Sequence, residues 1–277
     1  APPMAPGKNY MLGLGYSGAF RAEKDKDGII KRSMLDCGEN PDNGVVVHYF
    51  VDSPSDKNVD LTFFDSDDNK IINFPSRVSS SVEGAITKSS DEKNLQPLLK
   101  VEPGMNRFVW DMRYPGPTKP NVSNLDDKGF DGPVVPPGTY KVTLQVDGIL
   151  EINKFDIKKD PRLEATEEDL HDQFTFLIRI RDKVSSLYQA ANRIMEVRNQ
   201  IDSWVDKSTS DTMKQTLTSA ANDLKSKLQS IEDKIIQYKT LSGSDTISQA
   251  AKLDGKMREL SLVPSSAEYP PTKQTHD

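Results

Sequence analysis

The stretch from Pro103 to Gly148 decides the fold of this 277-residue chain. It opens with PGMNRFVWDMRYPG (103–116), continues through a polar loop and closes with GPVVPPGTYKVTLQVDG (132–148). Every second residue from Tyr140 to Val146 is apolar, which is the period of a strand with one buried face. Asp147-Gly148 is a two-residue hairpin signal. The stretch therefore predicts a strand, a long loop and the first arm of a β-hairpin.

Short strand patterns separated by turn residues surround this stretch. They are Val45–Val51, Val59–Phe64, Lys70–Phe74, Arg107–Asp111, Thr139–Val146 and Ile149–Ile157, with one more near 84–87. Six or seven short strands of this kind are typical of an antiparallel β-sandwich, which we expect to cover residues 37–160. The Pro- and Gly-rich residues 1–36 read as a linker or irregular arm.

The apolar period changes from 2 to 3.6 after Asp160-Pro161. Thr166 and Asp169 have the spacing of a capping box, which predicts the start of a helix of about 40 residues. A second helix, from near Asp211, carries apolar residues at alternating steps of three and four from Leu217 to Tyr238, as in a coiled coil. The sequence thus predicts an α+β protein in which a long antiparallel helical hairpin with a third short helix occupies residues 161–262. Residues 263–277 form an extended tail in this interpretation.

The apolar stripes of these helices are expected to pack against each other as core. The alternative is that part of a stripe forms a groove for a partner.

Composition excludes several classes of protein. The net charge of −6 disfavours nucleic acid as a partner, because phosphate binding requires a basic surface. No apolar run approaches the length that crosses a membrane, so we expect no membrane span. Cys37 is the only cysteine, which rules out an intramolecular disulfide and leaves the redox compartment open.

Motifs that carry chemistry are weak in this chain. Gly13, Gly15 and Gly18 match a dinucleotide-binding fingerprint, but the strand and helix that such a site requires are not predicted around them, so a glycine-rich arm is favoured. His48, His171 and His276 lack partners at metal-ligand spacing. We therefore expect no cofactor and no catalytic activity in this chain.

Two sets of residues remain as candidate ligand sites. Trp110, Tyr114 and Phe130 lie near the loops and could stack on sugar rings, although large aromatic residues more often belong to a core. Asp65, Asp67 and Asn69 could hold calcium. The competing interpretation of that second set is a solvated hairpin tip, since Asp and Asn favour turns for local backbone reasons.

Several motifs together resemble a known family. GENPDNG (38–44), NRFVWDMRYPG (106–116), GPVVPPGTY (132–140) and KKDPRLEATEEDL (158–170) are similar to the C-terminal region of large secreted bacterial proteins with BNR (sialidase-like or sortilin-like) β-propellers. The sandwich part also resembles the Ig-like module of flagellar hook-capping proteins. The likeness covers about residues 36–206.

The resemblance implies a non-catalytic structural or protein-interaction module that is accessory to a β-propeller. A carbohydrate-binding module of a glycoside-hydrolase-like protein is the alternative. The expected partner is a propeller of the parent chain or of another protein, with a glycan as a second possibility, and the expected location is secreted, periplasmic or on the cell surface. The propeller repeats with their Asp-box turns are absent from this sequence, so no catalytic role of the family can be carried onto any residue here.

Overall fold

The computed structural model describes residues 10–11, 20–24, 30–34, 41–52, 58–76, 98–120, 130–207, 211–236, 250–266 and 268–276. Within them the chain is an α+β protein with antiparallel sheets and four helices. By compactness it divides into two units, Ala1–Val46 and Val47–Asp277.

The first unit contains three short strands, β1 (Tyr10–Met11), β2 (Phe20–Lys24) and β3 (Ile30–Met34). They form an antiparallel sheet of order β1-β2-β3, in which Phe20 pairs with Met34 and Lys24 with Ile30. Part of the segment expected to be a linker or irregular arm is therefore regular sheet. The Gly13–Gly18 motif and Cys37 lie outside the described residues.

The remaining strands form two sheets. Their bounds are β4 (Val45–Val51), β5 (Val59–Phe64), β6 (Lys70–Pro75), β7 (Gly104–Trp110), β8 (Gly138–Val146) and β9 (Ile149–Ile157). β4 pairs with β7, and the other four form a sheet of order β6-β5-β8-β9. All six strands were predicted, within a few residues at their ends, from strand-favouring residues, turn signals and, in two of them, the alternation of apolar residues. The strand expected near 84–87 lies outside the described residues.

The predicted hairpin at Asp147-Gly148 is confirmed. Val146 pairs with Ile149, so the loop has two residues, and both have positive φ, 48° and 87°. That is the geometry of a type I′ turn, whose twist matches the twist of the strands it joins.

The sheets meet in an aromatic core around Trp110, which has no exposed surface. Its ring stacks on Phe63 with centroids 4.3 Å apart, and it meets the edges of Tyr140 and Phe155 at 6.4 and 6.5 Å. These contacts join β7 to β5, β8 and β9. Trp110 therefore acts as the core residue that one interpretation of the sequence expected.

Four helices follow the sheets: α1 (Glu167–Lys207), α2 (Asp211–Ile235), α3 (Leu253–Ser265) and α4 (Lys273–His276). The 41-residue α1 confirms the predicted long helix. The third short helix, predicted within residues 161–262, corresponds to α3, which extends beyond this range to Ser265. The tail expected to be extended contains the last residues of α3 and the single turn of α4.

The capping box at the start of α1 is also confirmed. The Thr166 N–H donates to Asp169 Oδ2 at 2.8 Å, and the Asp169 N–H donates to Thr166 Oγ1 at 3.1 Å. These bonds hold the pKa of Asp169 below its usual value.

The helical core is a row of side chains from α1 together with one residue after α2. Its buried members are Phe176, Ile180, Val184, Tyr188, Ala191 and Ile236, and Met257 of α3 packs against them. No helix in the described part of the chain is long and apolar enough to cross a membrane.

Candidate ligand-binding cleft

A cleft of about 560 Å³ opens between the loops that follow β7, the segment after β9, and helices α1 and α3. This volume lies in the range of small-molecule sites. The cleft is lined on one side by the segment Phe130–Pro137 and on another by the first turns of α1.

The wall formed by the loops is built by a sharp turn at the end of β7. Met112 has φ of 62°, which is unusual for a residue with a side chain. Asp111 Oδ1 accepts from the Arg113 N–H at 3.2 Å, and the Trp110 indole N–H donates to the Arg113 carbonyl at 3.2 Å. The core tryptophan thus fixes the turn that carries Arg113 into the cleft.

The chain then pairs with the segment before β8. The Tyr114 N–H donates to the Pro133 carbonyl at 2.9 Å, and the Val135 N–H donates to the Met112 carbonyl at 2.8 Å. Arg113 Nη1 donates to the carbonyl of Gly132 at 2.9 Å. Only glycine fits at 132, because a Cβ there would overlap the carbonyl oxygen of Tyr114.

The opposite wall comes from α1. Phe174, Leu177 and Arg181 follow each other at steps of three and four and therefore share one face of the helix. Arg181 Nη1 donates to the Pro115 carbonyl at 3.2 Å, and the Thr118 N–H donates to Ser185 Oγ at 3.1 Å. These bonds hold the Pro-rich loop against the helix.

The floor near the start of α1 is fixed by Lys159 and Asp160. Lys159 Nζ donates to the carbonyls of Leu163 and Ala165 at 3.0 and 2.7 Å. Hydrogen bonds from Arg162 lower the pKa of Asp160 to about 2. Gln173 of α1 donates to the Pro264 carbonyl, which joins α1 to the C-terminal end of α3.

The three aromatic residues proposed for sugar stacking have different surroundings. Trp110 is wholly buried and offers no face to a ligand. Tyr114 is half-buried and packs on Phe174 at 5.1 Å between ring centroids, and burial raises the pKa of its phenol. Phe130 is half-buried, lines the cleft and packs against the helical core.

The calcium candidates form a tight turn between β5 and β6. One carboxylate oxygen of Asp65 accepts from the backbone N–H groups of Asp67 and Asn69 at 3.0 and 2.8 Å, and the other accepts from the Asn69 side chain at 3.1 Å. This bonding is that of an Asx turn. Within the described ranges, no three His, Cys, Asp or Glu side chains come together as a metal site.

Most residues of the cleft were not singled out from the sequence, among them Arg113, Phe174 and Arg181. Phe174 and Leu177 lie on an apolar face of α1, and Arg181 continues that face as a cation. A charged residue in line with an apolar stripe is the one local signal that could have indicated the cleft.

Comparison with protein-family models finds no match, and comparisons with curated proteins and with solved structures find none either.

Proposed function

We propose that this chain is a non-catalytic interaction module, an Ig-like sandwich with an antiparallel helical hairpin, that is accessory to a BNR-type β-propeller. The propeller belongs to the same polypeptide or to another protein. In keeping with the resemblance, the location proposed is secreted, periplasmic or on the cell surface. The proposal is supported mainly by a row of apolar side chains on α2 that is exposed to solvent.

The exposed row of α2 consists of Leu217, Leu224 and Ile231, which are 38%, 43% and 50% exposed. They are seven residues apart, so they lie almost directly above one another along the helix. Apolar residues exposed in a continuous line mark a surface that another protein covers. The helix-in-groove mode of recognition uses this spacing of anchors.

The exposed row is not covered by α1, because a different side of α2 packs against that helix. Ala221 is buried and Leu228 is half-buried, and the same side of the helix meets α1. Arg198 Nη1 lies 2.6 Å from Glu232 Oε2, and Arg198 Nη2 donates to Gln229 at 2.7 Å. Lys225 forms an ion pair with Asp202. The residue numbers of these paired side chains rise along α1 as they fall along α2, which supports an antiparallel arrangement of the two helices.

The exposed row has a polar border. Asp223 and Lys227 form an ion pair at 2.9 Å beside Leu224, and Gln229 donates to Asp233 at 2.8 Å near Ile231. An apolar centre with a charged rim is the usual composition of a protein–protein interface.

Titration of a BNR-type β-propeller with this chain tests the proposal. We expect a complex whose affinity falls about tenfold or more when Leu224→Asp and Ile231→Asp are combined, since central apolar anchors dominate such interfaces. The matched control is Ser219→Asp with Ser226→Asp, which adds the same charge at exposed positions elsewhere on α2. Equal loss in both variants, or no complex with the unmodified chain, would contradict the proposal.

Carbohydrate binding is a second candidate function, favoured by Tyr114 and Phe130. Both side chains are partly exposed, Phe130 lines the cleft and Tyr114 packs on another of its lining residues, so they could stack on a sugar. A glycan array followed by titration of any hit against Phe130→Ala tests this function. An array without hits would remove it.

A further inference from the structure

The cleft combines an arginine with spare hydrogen-bond donors and an apolar wall. Arg113 Nη1 donates to the Gly132 carbonyl, and the rest of its guanidinium makes no other hydrogen bond or ion pair within the part of the chain that the structure describes. A guanidinium carries five donors in a planar fork. Arg113 is therefore held in place by one bond and keeps donors for a ligand.

A second arginine on the facing wall has a buried donor without an acceptor. The Nε atom of Arg181 is buried and makes no hydrogen bond within the described residues. Asp182 Oδ1 lies 2.8 Å from this nitrogen, but not along its N–H direction, so the two form an ion pair only. Arg181 also lines the cleft and adds a positive charge to its wall, which Asp182 balances in part.

The charged residues that line the cleft leave a small positive excess: four cations (Arg113, Lys158, Lys159 and Arg181) against three acids (Asp131, Asp160 and Glu268). Asp160 is paired with Arg162 at 2.5 Å, whereas Asp131 and Glu268 are exposed. Lys158 is also exposed at the lining. With so small an excess of positive charge, the cleft suits one negative charge better than two, because a dianion would meet more repulsion from the acids.

The remaining lining is apolar. It is contributed by Phe130, Leu170, Phe174 and Leu177, together with the prolines 133, 136 and 137. An apolar body placed there is removed from water, which stabilises binding in proportion to the area covered.

We propose that the cleft binds a small organic monocarboxylate with an apolar body. The carboxylate accepts from the remaining donors of Arg113, since the guanidinium fork matches carboxylate geometry, and the apolar body lies against Phe174 and Leu177. This site is separate from the exposed row of α2 and does not depend on the proposed interaction with a propeller.

Phenylbutyrate and its uncharged amide, phenylbutanamide, are the probes. Both are titrated into the full chain by calorimetry, with backbone amide shifts recorded in parallel. We expect the carboxylate to bind about tenfold more tightly than the amide, because hydrogen bonds to charged groups are the stronger ones. The largest shifts are expected at Arg113, at 130–135 and at 173–181.

Single substitutions test the contributions of the arginine and of the apolar wall to binding separately. Arg113→Gln lowers the affinity for the carboxylate to that for the amide, whereas Arg179→Gln, at an exposed position of the same helix, changes neither. Leu177→Ala lowers the affinity for both probes alike and leaves the guanidinium groups in place, so it serves if Arg113→Gln does not fold.

Three results would overturn the site. They are equal affinity for carboxylate and amide, shifts that map away from the cleft, and the absence of binding of either probe at millimolar concentration.

Discussion

At the scale of single residues, the two tryptophans of the chain occupy opposite environments. Trp110 has no exposed surface and contacts three other rings, whereas Trp204 on α1 is 65% exposed. We expect Trp110→Ala to lower the free energy of unfolding by about 3–5 kcal/mol, because it leaves a large cavity in the sheet core. Trp204→Ala is the control and should change it by less than about 0.5 kcal/mol. Urea unfolding measures both, and equal losses would contradict this account of the core.

Gly132 gives a second test at the residue scale. A Cβ at this position would overlap the Tyr114 carbonyl, so Gly132→Ala must push apart the paired segments that carry Arg113. We expect a loss of about 1–3 kcal/mol, typical of overpacking. At Gly138 the nearest atom to a Cβ is 3.7 Å away in a side chain. Gly138→Ala should therefore be nearly neutral in thermal unfolding, and a similar loss at both glycines would argue against this packing.

The identity of individual residues was enough to predict the Asp147-Gly148 turn, which follows from local chemistry. It favoured Trp110 as a core residue but left sugar stacking open as the alternative. The role of Arg113 could not be predicted in this way. Its place in the cleft depends on Met112 taking a positive φ and on a glycine at 132, and neither condition can be read from the residues around Arg113.

At the scale of elements, acid should loosen the junction between β9 and α1. Hydrogen bonds from Arg162 lower the pKa of Asp160 to about 2, and those from Thr166 lower that of Asp169. The unfolded value is about 3.9. A depressed carboxyl pKa stabilises the folded chain above the unfolded value, and this contribution is lost as pH falls from about 4 towards 2.

Thermal unfolding of Asp160→Asn and of the unmodified chain across this window checks the acid dependence. The variant should lose less stability between pH 4 and pH 2 than the unmodified chain, because it lacks one of the titrating groups. Parallel curves for the two proteins would show that Asp160 does not contribute.

A buried ion pair joins α1 to α2. The Glu232 side chain is 2% exposed and that of its partner Arg198 is 23% exposed. We expect Arg198→Met to destabilise the protein by about 3 kcal/mol, because it removes the cation from a buried carboxylate. Adding Glu232→Leu should recover much of this loss, since an apolar pair avoids the cost of burying charge. A double-mutant cycle by urea unfolding measures the coupling, and simple additivity would contradict it.

Element types were largely predictable because periods of 2 and 3.6 record which side of an element is buried. The α2 stripe shows the limit of this signal. Apolar residues recur at steps of three and four from Leu217 to Ile235 and so lie on one face of the helix. Ala221 is nevertheless buried, while Leu217, Leu224 and Ile231 are exposed. Periodicity finds the apolar face of a helix but not how much of that face the neighbouring helix covers.

At the scale of the whole molecule, the cleft depends on contacts between distant parts of the chain. Arg113, the segment from Phe130 to Pro137, Arg181 and Ser265 come from four separate segments. Sequence reasoning had identified the elements on which they lie, but had no means of placing these elements around one cavity. Phe130 was the only member of the cleft among the predicted site residues.

If the exposed row of α2 binds a partner protein, the mass of the chain in solution rises when that partner is added. Light scattering of the chain alone and with a BNR-type β-propeller measures this most directly. We expect a monomer that shifts to the summed mass of one chain and one propeller. It should not shift when Leu224 and Ile231 are replaced by Asp. A chain that stays at its own mass with the propeller present at micromolar concentration would contradict it, and so would a stable homodimer that covers the same row.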